Sequence, residues 1–172
     1  MTPSPGHALT NVCLAENGGD LVMGPEGVRD GDWSTIAQSI AGQGGNIAAV
    51  IVFPECSLVQ IGYSAHGRAW QYDGSAWCDL EVSLRIDGSW QTIGHWHGEG
   101  WGQYDVHVMS DDNGGLGWDD VTGMKMYSGI WGWDVGSAFA CHQEMAAWAI
   151  PEPATLLLAT IGSFMLMRRR RG

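Results

Sequence analysis

The stretch from Asp79 to Trp96 constrains the fold more than any other. Leu80, Val82, Leu84 and Ile86 alternate with Glu81, Ser83 and Arg85. A period of two puts the apolar set on one face of a half-buried strand and the polar set on the other. Asp87-Gly88 follows, a pair that tolerates positive φ and signals a tight hairpin, and the return strand is Trp90–Trp96. The chain has 26 glycines that cut it into short apolar runs. Many short strands broken by turns predict an all-β fold, an antiparallel β-sandwich or jelly roll. Further strands are expected at Ala48–Phe53, at Ser57–Tyr63 after a Pro-Glu-Cys turn, at Tyr104–Met109, at Val121–Tyr127 and at Ala138–Ile150. Trp33–Ala41 is expected to make one or two helical turns.

The C-terminus follows other rules. Pro151 and Pro153 flank Glu152 and stop regular structure arriving from upstream. Residues 154–167 carry no charge and are mostly aliphatic, and Arg168, Arg169, Arg170 and Arg171 close the run. An apolar segment before a basic cluster is a stop-transfer pattern. Fourteen residues make about 21 Å of helix against a hydrocarbon core of about 30 Å. The tail is therefore expected to be a short, marginal transmembrane helix. The chain divides into a leader or truncated start at 1–10, a β-sandwich domain at 11–149 and a tail at 150–172.

Residues 1–153 hold 4 basic and 19 acidic side chains, a net −15. Affinity for nucleic acid and anionic lipid comes from lysine and arginine, so neither is an expected partner of the body. Cys13, Cys56, Cys78 and Cys141 form an even set without a C-x-x-C pair. In an exported domain they are expected to form two disulfides, with three possible connectivities. Residues 1–20 lack a basic n-region and an apolar h-region, so the true start is expected upstream.

The tail resembles the PEP-CTERM protein-sorting signal: Pro151-Glu152-Pro153, an apolar helix, then Arg168–Arg171. The resemblance implies a Gram-negative bacterium that makes extracellular polysaccharide. It also implies an exosortase-type membrane protease as partner. The precursor would sit in the inner membrane before reaching the cell surface or the extracellular biofilm matrix.

The body resembles discoidin-type, galactose-binding-like β-sandwiches. The likeness lies in Val28-Arg-Asp-Gly-Asp-Trp-Ser-Thr35, in the Asp-Gly-x-Trp hairpin within Leu80–Ile93, and in a closing pair that ends in Glu144 and Trp148. It implies a structural calcium held by Asp30, Asp32, Thr35 and Glu144. A second acidic loop, 111–120, fails the EF-hand spacing and reads as a solvated loop.

Two residue types remain. On a strand His95 and His97 share a face, and His107 could approach from the partner strand of a hairpin turning at Gly98–Gly102. Such a trio suits zinc, iron or copper and would make a metal-dependent jelly-roll enzyme. The His-x-His pattern resembles that of cupins, although Glu99 follows too closely and the second cupin motif is absent. Of ten tryptophans, Trp77, Trp90 and Trp148 fall in strand patterns and are expected in the core. Trp96, Trp101, Trp118, Trp131 and Trp133 fall beside glycines in expected loops. Aromatic rings next to flexible backbone suit stacking on sugar rings, so extracellular polysaccharide is the expected partner. A purely structural surface protein without a ligand is the alternative. No nucleophile elbow, phosphate loop or paired-carboxylate signature is present, and the body is expected not to be an enzyme.

Overall fold

The computed structural model describes residues 9–31, 33, 36–41, 45–68, 77–99, 103–131 and 139–150. Within these residues the chain forms nine strands: β1 (Thr10–Asn11), β2 (Asp20–Met23), β3 (Gln38–Ala41), β4 (Asn46–Arg68), β5 (Trp77–Ile86), β6 (Ser89–Glu99), β7 (Gln103–Asp111), β8 (Trp118–Trp131) and β9 (Phe139–Ala149). Every pairing is antiparallel. The expected hairpin forms, with Asp87 and Gly88 at φ of 51° and 75° and Ile86 opposite Ser89. Two positive φ angles in a two-residue loop match the twist of the flanking strands.

The long strand β4 organises the rest. Its first half pairs with β8, from Asn46↔Gly129 to Val52↔Gly123, and with β2 on its other edge. Its second half pairs with β9, from Leu58↔Ala149 to Arg68↔Phe139, and with β7 on the other edge. One hydrogen-bonded sheet therefore has two arms. The first runs β2-β4-β8-β5-β6; the second runs β7-β4-β9, with β1 and β3 along the far edge of β9. The arms meet at Phe53–Ser57, where the register against β8 shifts. Pro54 sits exposed in this shift, where a missing N–H removes no ladder bond. The expected Pro-Glu-Cys turn is thus a bend within a continuous strand, because a bulge absorbs the change of direction.

Side chains bridge the facing surfaces of the arms. Ser128 Oγ on β8 lies 2.9 Å from His142 Nε2 on β9, and the Tyr63 ring on β4 lies 5.4 Å from Trp96 on β6. Ile51, Leu80, Leu84, Met124, Met126, Ile130 and Met145 are fully buried in one core.

The outer faces differ. The short turn Glu26–Arg29 lies over β9, with Val28 buried and Gly31 N–H donating to Glu144 Oε2. Arg29 pins this cover: its guanidinium donates to the carbonyls of Cys13 and Gly19 at 3.2 and 2.9 Å and pairs with Glu26 at 2.7 Å. On the first arm the outward side chains of β6, Trp90, Thr92, His95 and His97, are exposed.

Two expectations change here. Gln38–Ala41 is a strand paired with β9, not a helical turn, because β9 takes its backbone groups. None of the four cysteines is in a disulfide. Cys13 and Cys78 are buried in the core and pack as small hydrophobes, and Cys141 is buried on β9. Burial pushes the Cys78 thiol up to about 12. Among the described residues no helix is long and apolar enough to cross a membrane. The expected tail helix at 154–167 lies outside the described residues, as do the sorting residues Pro151 to Arg171.

Candidate functional site

The carboxylates of the expected calcium turn come together as far as they are described. The segment 26–31 delivers Asp30 and Gly31 to the outer face of β9, where Glu144 is buried. Glu144 accepts from Gly31 N–H at 3.2 Å and also from the Asp30 backbone, and the Asp30 carboxylate lies beside it. Burial, with the Asp30 charge adding to it, raises the Glu144 carboxyl to about 7. Burial and Glu144 together push the nearby Cys13 thiol up as well. Two crowded carboxylates with backbone donors behind them form an oxygen donor set that suits a hard divalent cation. Asp32 and Thr35 lie outside the described residues. Beside this pair Trp33 stacks on Trp148, with ring centroids 6.5 Å apart and planes 11° apart, so Trp148 is a half-buried surface stack and not core.

The histidine trio does not assemble as expected. Among the described residues β6 pairs with β5 and β7 pairs with β4, with no β6–β7 ladder to bring His107 across. His95 and His97 do share a face, and Asp79 on β5 joins them. A bulge at Ile93 causes this. An unbroken ladder from Asp87-Gly88 would set Leu80 opposite His95 and Asp79 opposite Trp96. The observed pairs are Leu80↔Trp96 and Asp79↔His97. The one-residue slip turns both histidines outward and Trp96 inward.

The tryptophans are accordingly redistributed. Trp96 packs on Tyr63 and the core, and Gly94 leaves room for its ring, since a Cβ there would stand 2.5 Å from it. Trp118 opens β8 and also packs on the core. Trp131 closes β8. Trp101 and Trp133 lie outside the described residues. Trp90, expected in the core, is 40% exposed on the outer face, with Lys125 Nζ 5.5 Å from its ring. Lys125 also pairs with Glu81 at 3.3 Å. The acidic loop turns through Asn113, Gly114, Gly115 and Gly117, all at positive φ, with Asp112 and Asn113 exposed.

The pairings Trp77↔Trp131, Trp77↔Glu99 and Asn46↔Gly129 place one end of the first arm. Arg68↔Gln103, Arg68↔Phe139 and Ala41↔Phe139 place one end of the second. Only three residues separate Glu99 from Gln103, so the two ends lie together. Ala41, Arg68, Trp77, Glu99, Gln103, Trp131 and Phe139 stand at these ends and border the stretches 42–44, 69–76, 100–102 and 132–138. They lie outside the described residues, and their sequences carry Trp70, Tyr72, Trp101 and Trp133. Ala149, from which the tail departs, lies beside Leu58 at the opposite end.

A buried polar line crosses between the arms. Gln38 Nε2 donates to His142 Nδ1 at 2.8 Å, and His142 Nε2 meets Ser128 Oγ at 2.9 Å. Since Nδ1 accepts, Nε2 carries the proton and donates to the serine. A nucleophilic serine needs the reverse polarity. Burial lowers His142 to about 3 and holds it neutral. The line is a structural pin.

Residues 149–171 match the PEP-CTERM protein-sorting motif, so the chain carries this signal at its C-terminus. No curated protein sequence matches the chain. Among solved structures it is similar to a GH29 fucosidase of Ruminococcus gnavus in complex with fucose, at 12% identity and a TM-score of 0.42, over 83% of this chain and 27% of that one. It is similar to the CBM32 of AlyQ in complex with 4,5-unsaturated mannuronic acid, at 14% identity and 0.39, over 82% and 98%. It is also similar to the F5/8 type C domain of a Bacteroides fragilis protein, at 11% identity and 0.40, over 85% and 99%. The chain spans about a quarter of the fucosidase.

Proposed function

We propose that this is an exported, non-catalytic surface or matrix protein whose β-sandwich body contacts polysaccharide. The sorting motif at 149–171 carries the export half of the reading. It implies a membrane-held precursor and processing by an exosortase-type protease, with Arg168–Arg171 as the basic stop. The saccharide half rests on the strand ends, away from the tail, that border four stretches carrying Trp70, Tyr72, Trp101 and Trp133. Flat aromatic faces with polar neighbours suit pyranose rings. The acidic body disfavours uronic-acid polymers, so neutral saccharides are the expected ligands.

A glycan array tests the second half. Trp101→Ala and Trp133→Ala should abolish binding while circular dichroism stays unchanged. A wild-type chain that binds no saccharide at millimolar concentration leaves a ligand-free structural protein instead. For the tail, Arg168–Arg171 replaced by glutamines should leave the precursor uncleaved and released from the inner membrane. Normal cleavage in that variant refutes the sorting role of the arginines.

A calcium ion held by Asp30, Asp32, Thr35 and Glu144 belongs to the same reading. Supporting it is the buried Glu144 beside Asp30, a repulsion that a divalent cation would neutralise. Chelator should lower the melting temperature of the wild type and not that of Glu144→Gln. Equal response in both removes calcium from this turn.

A further inference from the structure

The outer face of β5 and β6 runs from the Trp77↔Glu99 end, beside the aromatic stretches, to the Asp87-Gly88 turn, and Trp90 stands near that turn. Trp90 is on β6 and Gly123 is on β8, with β5 between them. A Cβ on Gly123 would nevertheless stand 3.4 Å from Trp90 Cη2 and 3.4 Å from Val52 Cγ1. A ring that reaches towards a strand two spacings away, roughly 9.6 Å, lies along the sheet and does not stand up from it. The ring passes over the glycine and stays 40% exposed. We propose that the outer face of β5 and β6, ending on Trp90, is an extended saccharide-binding surface for an internal stretch of a neutral polysaccharide chain. This rests on the saccharide reading above and adds to it the length of chain that is held.

Shape is the first ground. A ring lying on a sheet offers one flat apolar face to solvent, the form that stacks on a pyranose. The position of the ring is set in advance. Gly123 has no side chain to lift it, and Lys125, whose Nζ is 5.5 Å from the ring, is itself held by Glu81 at 3.3 Å. A platform already in place loses little entropy when a ligand arrives.

Polarity is the second. Between the Trp77↔Glu99 end and Trp90 the outward side chains include Asp79, Glu81, Thr92, His95 and His97, all of them hydrogen-bonding groups. A protein partner needs an apolar centre from which charge is depleted. A line of donors and acceptors that ends on one aromatic ring fits a polyol instead.

Charge is the third. Residues 1–153 carry a net −15, yet Asp79 and Glu81 here stand against Arg85 and Lys125, a local sum of zero with neutral histidines. Both cations are engaged, Lys125 with Glu81 and Arg85 Nε with the Gly88 carbonyl at 3.3 Å. A balanced face on an acidic body suits an uncharged chain.

The distance from Glu99 to Trp90 is roughly 30 Å at 3.3 Å per residue. Trp101 and Trp133 are therefore needed for any binding, and Trp90 adds only to chains long enough to reach it. The test is binding of the full-length chain to arrayed neutral oligosaccharides, from single sugars up to long polymers. The wild type should hold the longest members about tenfold more tightly than the short ones. Trp90→Ala should bind short members as the wild type does and lose that gain. Thr92→Arg blocks the same path from an exposed position and should lose it too, with an unchanged melting temperature. Leu116→Ser, on the exposed loop 112–117, should match the wild type at every length. Affinity that does not rise with length, or a gain that survives Trp90→Ala or Thr92→Arg, overturns the proposal and leaves the saccharide reading standing. A wild type that binds no member of the series removes that reading, and this surface with it.

Discussion

β9 and β5 are neighbours in type, length and antiparallel pairing, yet their sequences look unlike. β5 alternates, because one face meets the core and the other meets solvent. β9 reads Phe-Ala-Cys-His-Gln-Glu-Met-Ala-Ala-Trp-Ala and shows no alternation, because the turn Glu26–Arg29 and Gly31 lie over the face that the core does not cover. A strand closed on both sides must fit side chains within two packed layers, and the small alanines of β9 follow from that. Polar groups on such a strand need partners, which Gln38, Ser64, Ser128 and Gly31 supply. The same backbone geometry thus carries two chemistries, according to what lies over the outer face.

The largest expected effect breaks the covered side. Ala146→Asp puts an unpaired charge beneath the cover and should destabilise by about 4 kcal/mol or more, enough to abolish the cooperative melt.

Next comes acid. His142 titrates near 3 in the folded protein and at its ordinary value of 6.5 when unfolded. The unfolded chain therefore binds the extra proton between those values, and stability falls as pH drops from 6.5 towards 3. Glu144 acts with the opposite sign. Its folded value is raised to about 7 from 4.5, so the folded chain holds the extra proton and stability falls as pH rises from 4.5 to 7. The two slopes oppose each other between 4.5 and 6.5. Glu144→Gln should therefore make stability rise with pH across that window, relative to the calcium-free wild type, when urea melts are compared.

Two tryptophans sharpen the contrast at smaller cost. Trp96→Ala empties a site against Tyr63 and should cost about 3 kcal/mol. Trp90→Ala removes a ring that is already 40% exposed and should cost about 1 kcal/mol. Equal losses would mean that the Ile93 bulge does not set the two rings on opposite faces. Thr92→Asp should change stability by less than about 0.5 kcal/mol.

Legibility follows the same division. The β5–β6 hairpin and its turn were readable because alternation and Asp-Gly are local signals. The bulge at Ile93 was not, and it alone sends His95 and His97 outward and Trp96 inward. Asp79 was missed as their neighbour for that reason. The sequence predicts two strands where β4 is one, because Pro54 marks a turn more often than a bend. The Asp30–Glu144 pair came from resemblance and not from spacing, since 113 residues separate Gly31 from its acceptor. The cover over β9 left one trace in the sequence, a strand without alternation.

The fold of β4 has a mechanical consequence. Ala149 leaves at the corner, and Phe139 stands at the other end of β9, roughly 33 Å away at 3.3 Å per residue. A load between a polymer held there and an anchored tail would run along the strands. Inter-strand bonds lie across that direction. β9 would then be strained in shear against β4, with its ladder bonds sharing the force together, instead of being peeled from one end a bond at a time.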